Sequence, residues 1–162
     1  MPRVLVALAL LVMAAAPRAQ QPPASPTQAE TLAKWPWSIS LQPGPFKRQS
    51  IEITLASKEG MEYKYRLDKG EALLYSWKAT GPVNVEFHAE PDGAPRGYAQ
   101  TYEKADRQTA ASGTLTAPFA GIHGWYWENT TGQPVTVTLT SAGYYNLSHE
   151  FRSGAPTKNK TF

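Results

Sequence analysis

The chain has 162 residues, no cysteine and a formal net charge of +3. That length holds one domain plus a short extension and is enough to bury a core. The missing cysteines exclude a disulfide framework and thiol chemistry, and the absence of any block of like charge argues against a nucleic-acid partner.

Residues 1–19 open with Arg3, run apolar from Val4 to Ala16 and end in small residues. This is the layout of a secretory signal peptide, and the apolar run is shorter than the ~20 residues a membrane-spanning helix needs. Cleavage after Ala19 leaves fourteen basic residues against thirteen acidic ones. The expected location is periplasmic or secreted. The alternative is an uncleaved anchor in the inner membrane with the rest of the chain facing the periplasm. Export without cysteines fits a bacterial periplasm better than a disulfide-stapled secreted domain.

Residues 20–45 carry prolines at 22, 23, 26, 36, 43 and 45. Proline at this density keeps a chain extended, so this segment reads as a leader or stalk. Trp35 and Trp37 are expected to pack it onto the following domain.

Residues 46–151 have a period of two. Apolar and polar residues alternate in Ile51–Leu55, Met61–Asp68, Val83–His88 and Val135–Thr140. Each run predicts a strand with one wet face. Turn signals separate them at Glu59-Gly60, Lys69-Gly70, Thr80-Gly81-Pro82, Pro91-Asp92-Gly93 and Thr131–Pro134. Two further strands carry apolar residues on both faces. In Glu71–Ala79, Leu74 opposes the Leu73, Tyr75 and Trp77 face. In Ile122–Asn129, Ile122 and Tyr126 oppose His123, Trp125 and Trp127. The two indoles carry the larger apolar area, so that face is expected inside. The fold class is all-β, an antiparallel β-sandwich of jelly-roll-like type with six to eight short strands and no long helix. Residues 152–162 read as a polar, basic tail.

The segment Gly113–Tyr144, above all His-Gly-Trp-Tyr-Trp-Glu-Asn at 123–129, resembles a family of bacterial envelope proteins described as transmembrane anchor proteins. The resemblance extends to Tyr65-Arg66-Leu67, Trp77-Lys78-Ala79, Val85–His88 and Tyr102-Glu103-Lys104, about two-thirds of the chain. It implies a C-terminal β-sandwich carried on an N-terminal membrane segment and stalk, with no established activity. This chain departs from that pattern in its shorter N-terminal apolar run. A more distant likeness of pattern is to the GOLD domain and to sandwich modules appended to secreted peptidases. Both imply non-catalytic interaction domains.

The sequence nominates no catalytic residue. It has no Gly-x-Ser-x-Gly, no phosphate-binding glycine loop and no local metal-ligand spacing among His88, His123 and His149. The expected function is a non-enzymatic interaction module with an envelope protein as partner and no cofactor. Its candidate binding residues are His88, Glu90, His123, Trp125, Tyr126 and Trp127. The alternative is a small-ligand binder for a carbohydrate or a metal ion, in which His88 and His123 converge from paired strands. The sequons at Asn129 and Asn146 read as chance matches.

Overall fold

The computed structural model describes residues 41–162. The signal-peptide reading of 1–19, the stalk up to residue 40 and the docking of Trp35 or Trp37 lie outside the described residues. Eight strands follow in chain order: β1 (Lys47–Leu55), β2 (Gly60–Leu67), β3 (Ala72–Pro91), β4 (Gln100–Thr116), β5 (Gly121–Glu128), β6 (Val135–Gly143), β7 (Leu147–Arg152) and β8 (Lys158–Thr161). All pairings are antiparallel, in the order β1-β6-β3-β5-β2-β7-β8, with β4 on the other edge of β3. The sheet curls into a half-barrel, a sandwich-like arrangement of the class the periodicity predicts.

The fold turns on β3, which is one strand of 20 residues. The sequence predicts two strands here, divided by a turn at Thr80-Gly81-Pro82. The structure instead bends a single strand at that point. Leu73–Ala79 pairs with β6, and Asn84–Pro91 pairs with β5. Between them the register with β4 shifts, at Lys78/Val83 and again at Val83/Val85. Bulges of this kind are how a strand passes from one layer to the other. Pro82 fits a bend because it has no N–H to give to a ladder. Beside the bend, side chains satisfy amides of the neighbouring strands: the Thr80 hydroxyl accepts the Thr136 amide at 2.9 Å, and Asn84 Oδ1 accepts the Arg107 amide at 3.2 Å. β4 follows β3 around the bend. Its sequence lacks clean alternation, so period-two reading passes over it. The segment read as a basic tail supplies β8, paired to β7 from Leu147↔Thr161 to Glu150↔Lys158.

The core lies between the two layers. Trp125 and Trp127 are buried and stack at 5.6 Å, and Trp77 meets Trp127 edge-on at 5.9 Å. Phe87 stacks on Trp125 at 4.8 Å. The face expected to turn inward on Ile122–Asn129 does so. Beside the aromatics runs a polar seam. Gln49 of β1 donates to the Tyr63 hydroxyl at 2.8 Å and accepts from the Tyr65 hydroxyl at 3.2 Å. Ser141 bonds Tyr65 at 2.7 Å, and Ser148 bonds Tyr63 at 2.8 Å. These bonds tie β1 and β6 to β2 and β7 across the interior. Burial raises the Tyr65 phenol far above its ordinary range, so its hydroxyl stays a donor. Asn129 is fully buried: its Nδ2 donates to the Leu55, Ala56 and Gln133 carbonyls and its Oδ1 accepts from Thr131. The Asn129 sequon is therefore part of a turn lock.

Trp127→Ala should cost about 3–5 kcal/mol, as large aromatic truncations in cores do. Trp127→Phe should cost far less, because Trp127 Nε1 is buried without an acceptor and the phenyl ring removes that donor. Tyr126→Ala on the opposite face should lower the melting temperature by much less than Trp127→Ala. Chemical denaturation of the three variants measures the order.

Candidate functional site

The outer face of β2, β5 and β3 carries the most unusual chemistry among the described residues. Register aligns side chains across these strands in rows. Arg66 lies opposite Ile122 and Glu90, Lys64 opposite Gly124 and His88, and Glu62 opposite Tyr126 and Glu86. Gly124 therefore leaves a gap in the middle row. Lys64 reaches across it, and its ammonium donates to His88 Nε2 at 2.8 Å. The same ammonium pairs with Glu62 at 2.8 Å and makes a short contact with Glu90. Lys64 is fully buried, although it sits on the face turned away from the core.

Three features build this site. Alternation on β2 puts Glu62, Lys64 and Arg66 outward while Tyr63 and Tyr65 fill the core. Gly124 is required by close approach: a Cβ there would lie 2.0 Å from the Tyr63 carbonyl oxygen. The His88 ring is held by its other nitrogen, since Nδ1–H donates to the Glu86 carbonyl at 3.3 Å. Nε2 thereby keeps a lone pair aimed at the cluster. Glu62, His88 and Glu90 can each offer one ligand atom within 4.8 Å of the others. The Lys64 ammonium lies among those three atoms, so the cluster already contains a cation. Glu90 keeps 47% of its side chain exposed and Glu62 keeps 33%, so the cluster opens to solvent on its acidic side.

Around the cluster the face is mixed in charge with an acidic excess. Arg66 is held by Asp68 at 3.1 Å and Asp92 at 2.7 Å. Thr101 donates to Glu86 at 2.7 Å, which with Lys104 at 3.3 Å keeps that carboxyl below its ordinary range. Tyr126 lies over Gly60, where a Cβ would come 2.3 Å from its hydroxyl.

Of the residues nominated from sequence, His88, Glu90 and Tyr126 share this outer face. His123, Trp125 and Trp127 belong to the core. His88 and His123 do not converge, although their strands pair. His123 lies opposite Ala89 while His88 lies opposite Gly124, so adjacent register positions send the two imidazoles to opposite faces. Both His123 nitrogens are occupied. Nδ1 accepts from the Tyr102 hydroxyl at 2.9 Å, and Nε2–H donates to the Phe119 carbonyl at 3.2 Å. Burial, aided by the charge of Arg66, lowers its pKa to about 4. Lys64 and Glu62 are the residues that sequence reading missed. An alternating strand with a lysine outward looks like any wet face, and only Gly124, on the strand between Lys64 and His88, hints that a long side chain can cross.

The described residues contain no helix long and apolar enough to cross a membrane. The chain matches no family model, and no curated protein matches it.

Two measurements test this geometry. His123 has a folded pKa of about 4 against an ordinary value of 6.5. Between those values the unfolded chain binds a proton that the folded chain refuses, so stability is complete above about pH 6.5 and falls as the pH is lowered toward 4. The loss should reach about 3 kcal/mol by the low end. The carboxyls with lowered pKa, Glu59, Glu86 and Glu150, add most of their losses below 4.5. A denaturation series from pH 7 to 5 should therefore fall for the native chain and flatten in His123→Phe. Independently, Gly124→Ala should cost at least ~1–3 kcal/mol from overpacking against β2, read as a drop in melting temperature.

Proposed function

We propose that the chain is a non-enzymatic interaction module of the bacterial envelope, periplasmic or tethered to the inner membrane, and that its contact surface is the outer face of β3, β5 and β2. The observation that carries this reading is the buried Lys64. Burying an ammonium costs several kcal/mol in desolvation, and a buried ion cluster replaced whole by apolar residues is often as stable. Lys64 contributes nothing to the core, which lies on the other face of its strand. What it does is fix Glu62, His88 and Glu90 in one arrangement beside Tyr126. A preorganised acidic cluster next to a half-buried aromatic suits a basic, partly apolar patch on a partner protein. The likeness to envelope anchor proteins supports the same compartment, and with it a tether through the N-terminal segment.

A second reading, a small-ligand binder, keeps one specific observation. Glu62, His88 and Glu90 have the donor types and the spacing of a divalent-cation site, with the His88 Nδ1–H bond to a carbonyl that such histidines use. The Lys64 ammonium competes for that place. The carbohydrate form of this reading loses its platform, because Trp125 and Trp127 are in the core.

Lys64→Met separates the readings. It nearly preserves volume and removes the charge that orders the cluster. Its melting temperature should fall only modestly, because Glu62 and Glu90 keep contact with solvent, while capture of a partner from a bacterial envelope extract should be lost. Calorimetric titration with zinc should show no binding to the native chain. Micromolar or tighter zinc binding by the native chain, abolished in His88→Ala, would favour the cation reading instead. Capture that survives both Lys64→Met and Tyr126→Ala would move the contact surface elsewhere.

A further inference from the structure

The second place where the structure is unfinished is the flank formed by β4. Among the described residues this strand pairs only with β3, so no other described strand lies along its second edge over 17 residues. Free edges are templates for another strand, and folded proteins guard them with charge, proline or bulges. The guards on β4 are concentrated in its first half. Glu103, Lys104, Asp106 and Arg107 lie there, as do two of the three register shifts, the third falling between Gln108 and Ala110, and Arg107 has a φ of 56°. The second half, Gln108–Thr116, has no charge and no proline. From Ala110 to Thr116 its register with β3 is unbroken.

Beside this unguarded stretch the core opens. A cleft of about 90 Å³ enters between the layers at the bend. Tyr75, Phe87 and Trp125 line it, and Glu103, Gln108 and Ala111 of β4 form its β4 side. The aromatic rings here are in mutual contact, with Tyr75 4.8 Å from Trp125 and 5.3 Å from Phe87. The Glu103 carboxylate lies at this opening, and burial together with its charge raises the Tyr75 phenol above its ordinary range. On the opposite side of β4, Leu74 is 48% exposed next to Ser112 and Thr114 in a shallow groove.

We infer that the free edge of β4 at Gln108–Thr116 accepts an extended segment of another protein as an added strand, which sets one apolar side chain into the aromatic cleft and a basic side chain near Glu103. Main-chain hydrogen bonds along the edge supply affinity, and the alternate side chains supply choice. A second copy of this chain fits less well. Its own β4 would offer Ala111, Gly113 and Leu115 to the concave side, and Gln108–Thr116 carries no basic residue to meet Glu103. The inference rests on the chain being an interaction module but uses a different surface, so loss of capture in Lys64→Met bears on the outer face and not on this edge.

The probe is a short capped peptide of alternating Val and Thr with one central Phe and a terminal Lys. A control peptide carries Glu in place of the Lys. Amide hydrogen exchange of the domain is followed with and without each peptide. The Lys peptide should slow exchange across residues 108–116 and bind about tenfold tighter than the Glu peptide, a difference of about 1.4 kcal/mol. In Glu103→Arg, an exposed position, the preference should reverse. Proline is introduced singly at Ala111 and at Ser112, adjacent positions whose N–H groups point to opposite edges. The variant that keeps the native melting temperature has lost only an edge-facing donor and should lose the peptide. Absence of protection at 108–116 with either peptide overturns the inference, and so does equal binding of the two peptides. Protection that grows with protein concentration alone would assign the edge to a second copy and overturn the occupant named here.

Discussion

The bend in β3 is the constraint from which the rest of the molecule follows. One strand of 20 residues serves both layers, pairing β6 with its first half and β5 with its second. A sandwich made from two separate sheets is held only by contacts between side chains. Here the main chain itself crosses at the corner, so the layers are covalently and hydrogen-bond continuous there. The far side lacks such a crossing. It is closed by the Gln49, Tyr63, Tyr65 and Ser141 hydroxyl and amide seam, and by Arg152, which pairs with Glu59 at 2.6 Å and donates to the Thr54 carbonyl at 3.2 Å. With no disulfide in the chain, these polar bonds and the indole stack do the closing.

The same bend creates both surfaces with functional promise. Turning the second half of β3 toward β5 brings His88 into line with Gly124 and Lys64, and so assembles an ionic cluster on the outside of the sheet. It also pulls β4 around the corner, leaving a long edge that no other described strand covers, beside a cleft where the aromatic core is thinly covered. The two surfaces differ in physical character. The outer face works by fixed charge, in a geometry that Lys64 holds at a cost in desolvation. The edge works by unpaired backbone groups, whose directionality needs no particular side chain.

Burial of Lys64 also shows why the face of a residue and its exposure are separate facts. Alternation assigns Lys64 to the wet side correctly. Its full burial arises because a glycine on the next strand lets it lie down, where two carboxylates and an imidazole meet it. His123 makes the converse point. Its alternation with Trp125 and Trp127 places it with the core, and there two neutral partners satisfy it and burial keeps it uncharged.

The sequence by itself determined the class of this fold and most of its faces. Side-chain period is a local property, so the alternation in Met61–Leu67 and in Ile122–Asn129 fixes which residues share a side before any strand has a neighbour. Lys69-Gly70 and Pro91-Asp92-Gly93 likewise end strands through their own backbone preferences. Only the tertiary structure decided which strands are neighbours and in what register. Thr80-Gly81-Pro82 has the composition of a turn, and it became a bend because β4, β5 and β6 hold both halves of β3 in one ladder. Lys64, His88 and Glu90 are far apart in sequence, and their meeting depends on register across three strands, which no local pattern encodes. His88 and His123 fail to meet for a local reason: alternation puts His123 with the inward tryptophans and His88 with the outward Glu86 and Glu90, so pairing their strands cannot join them.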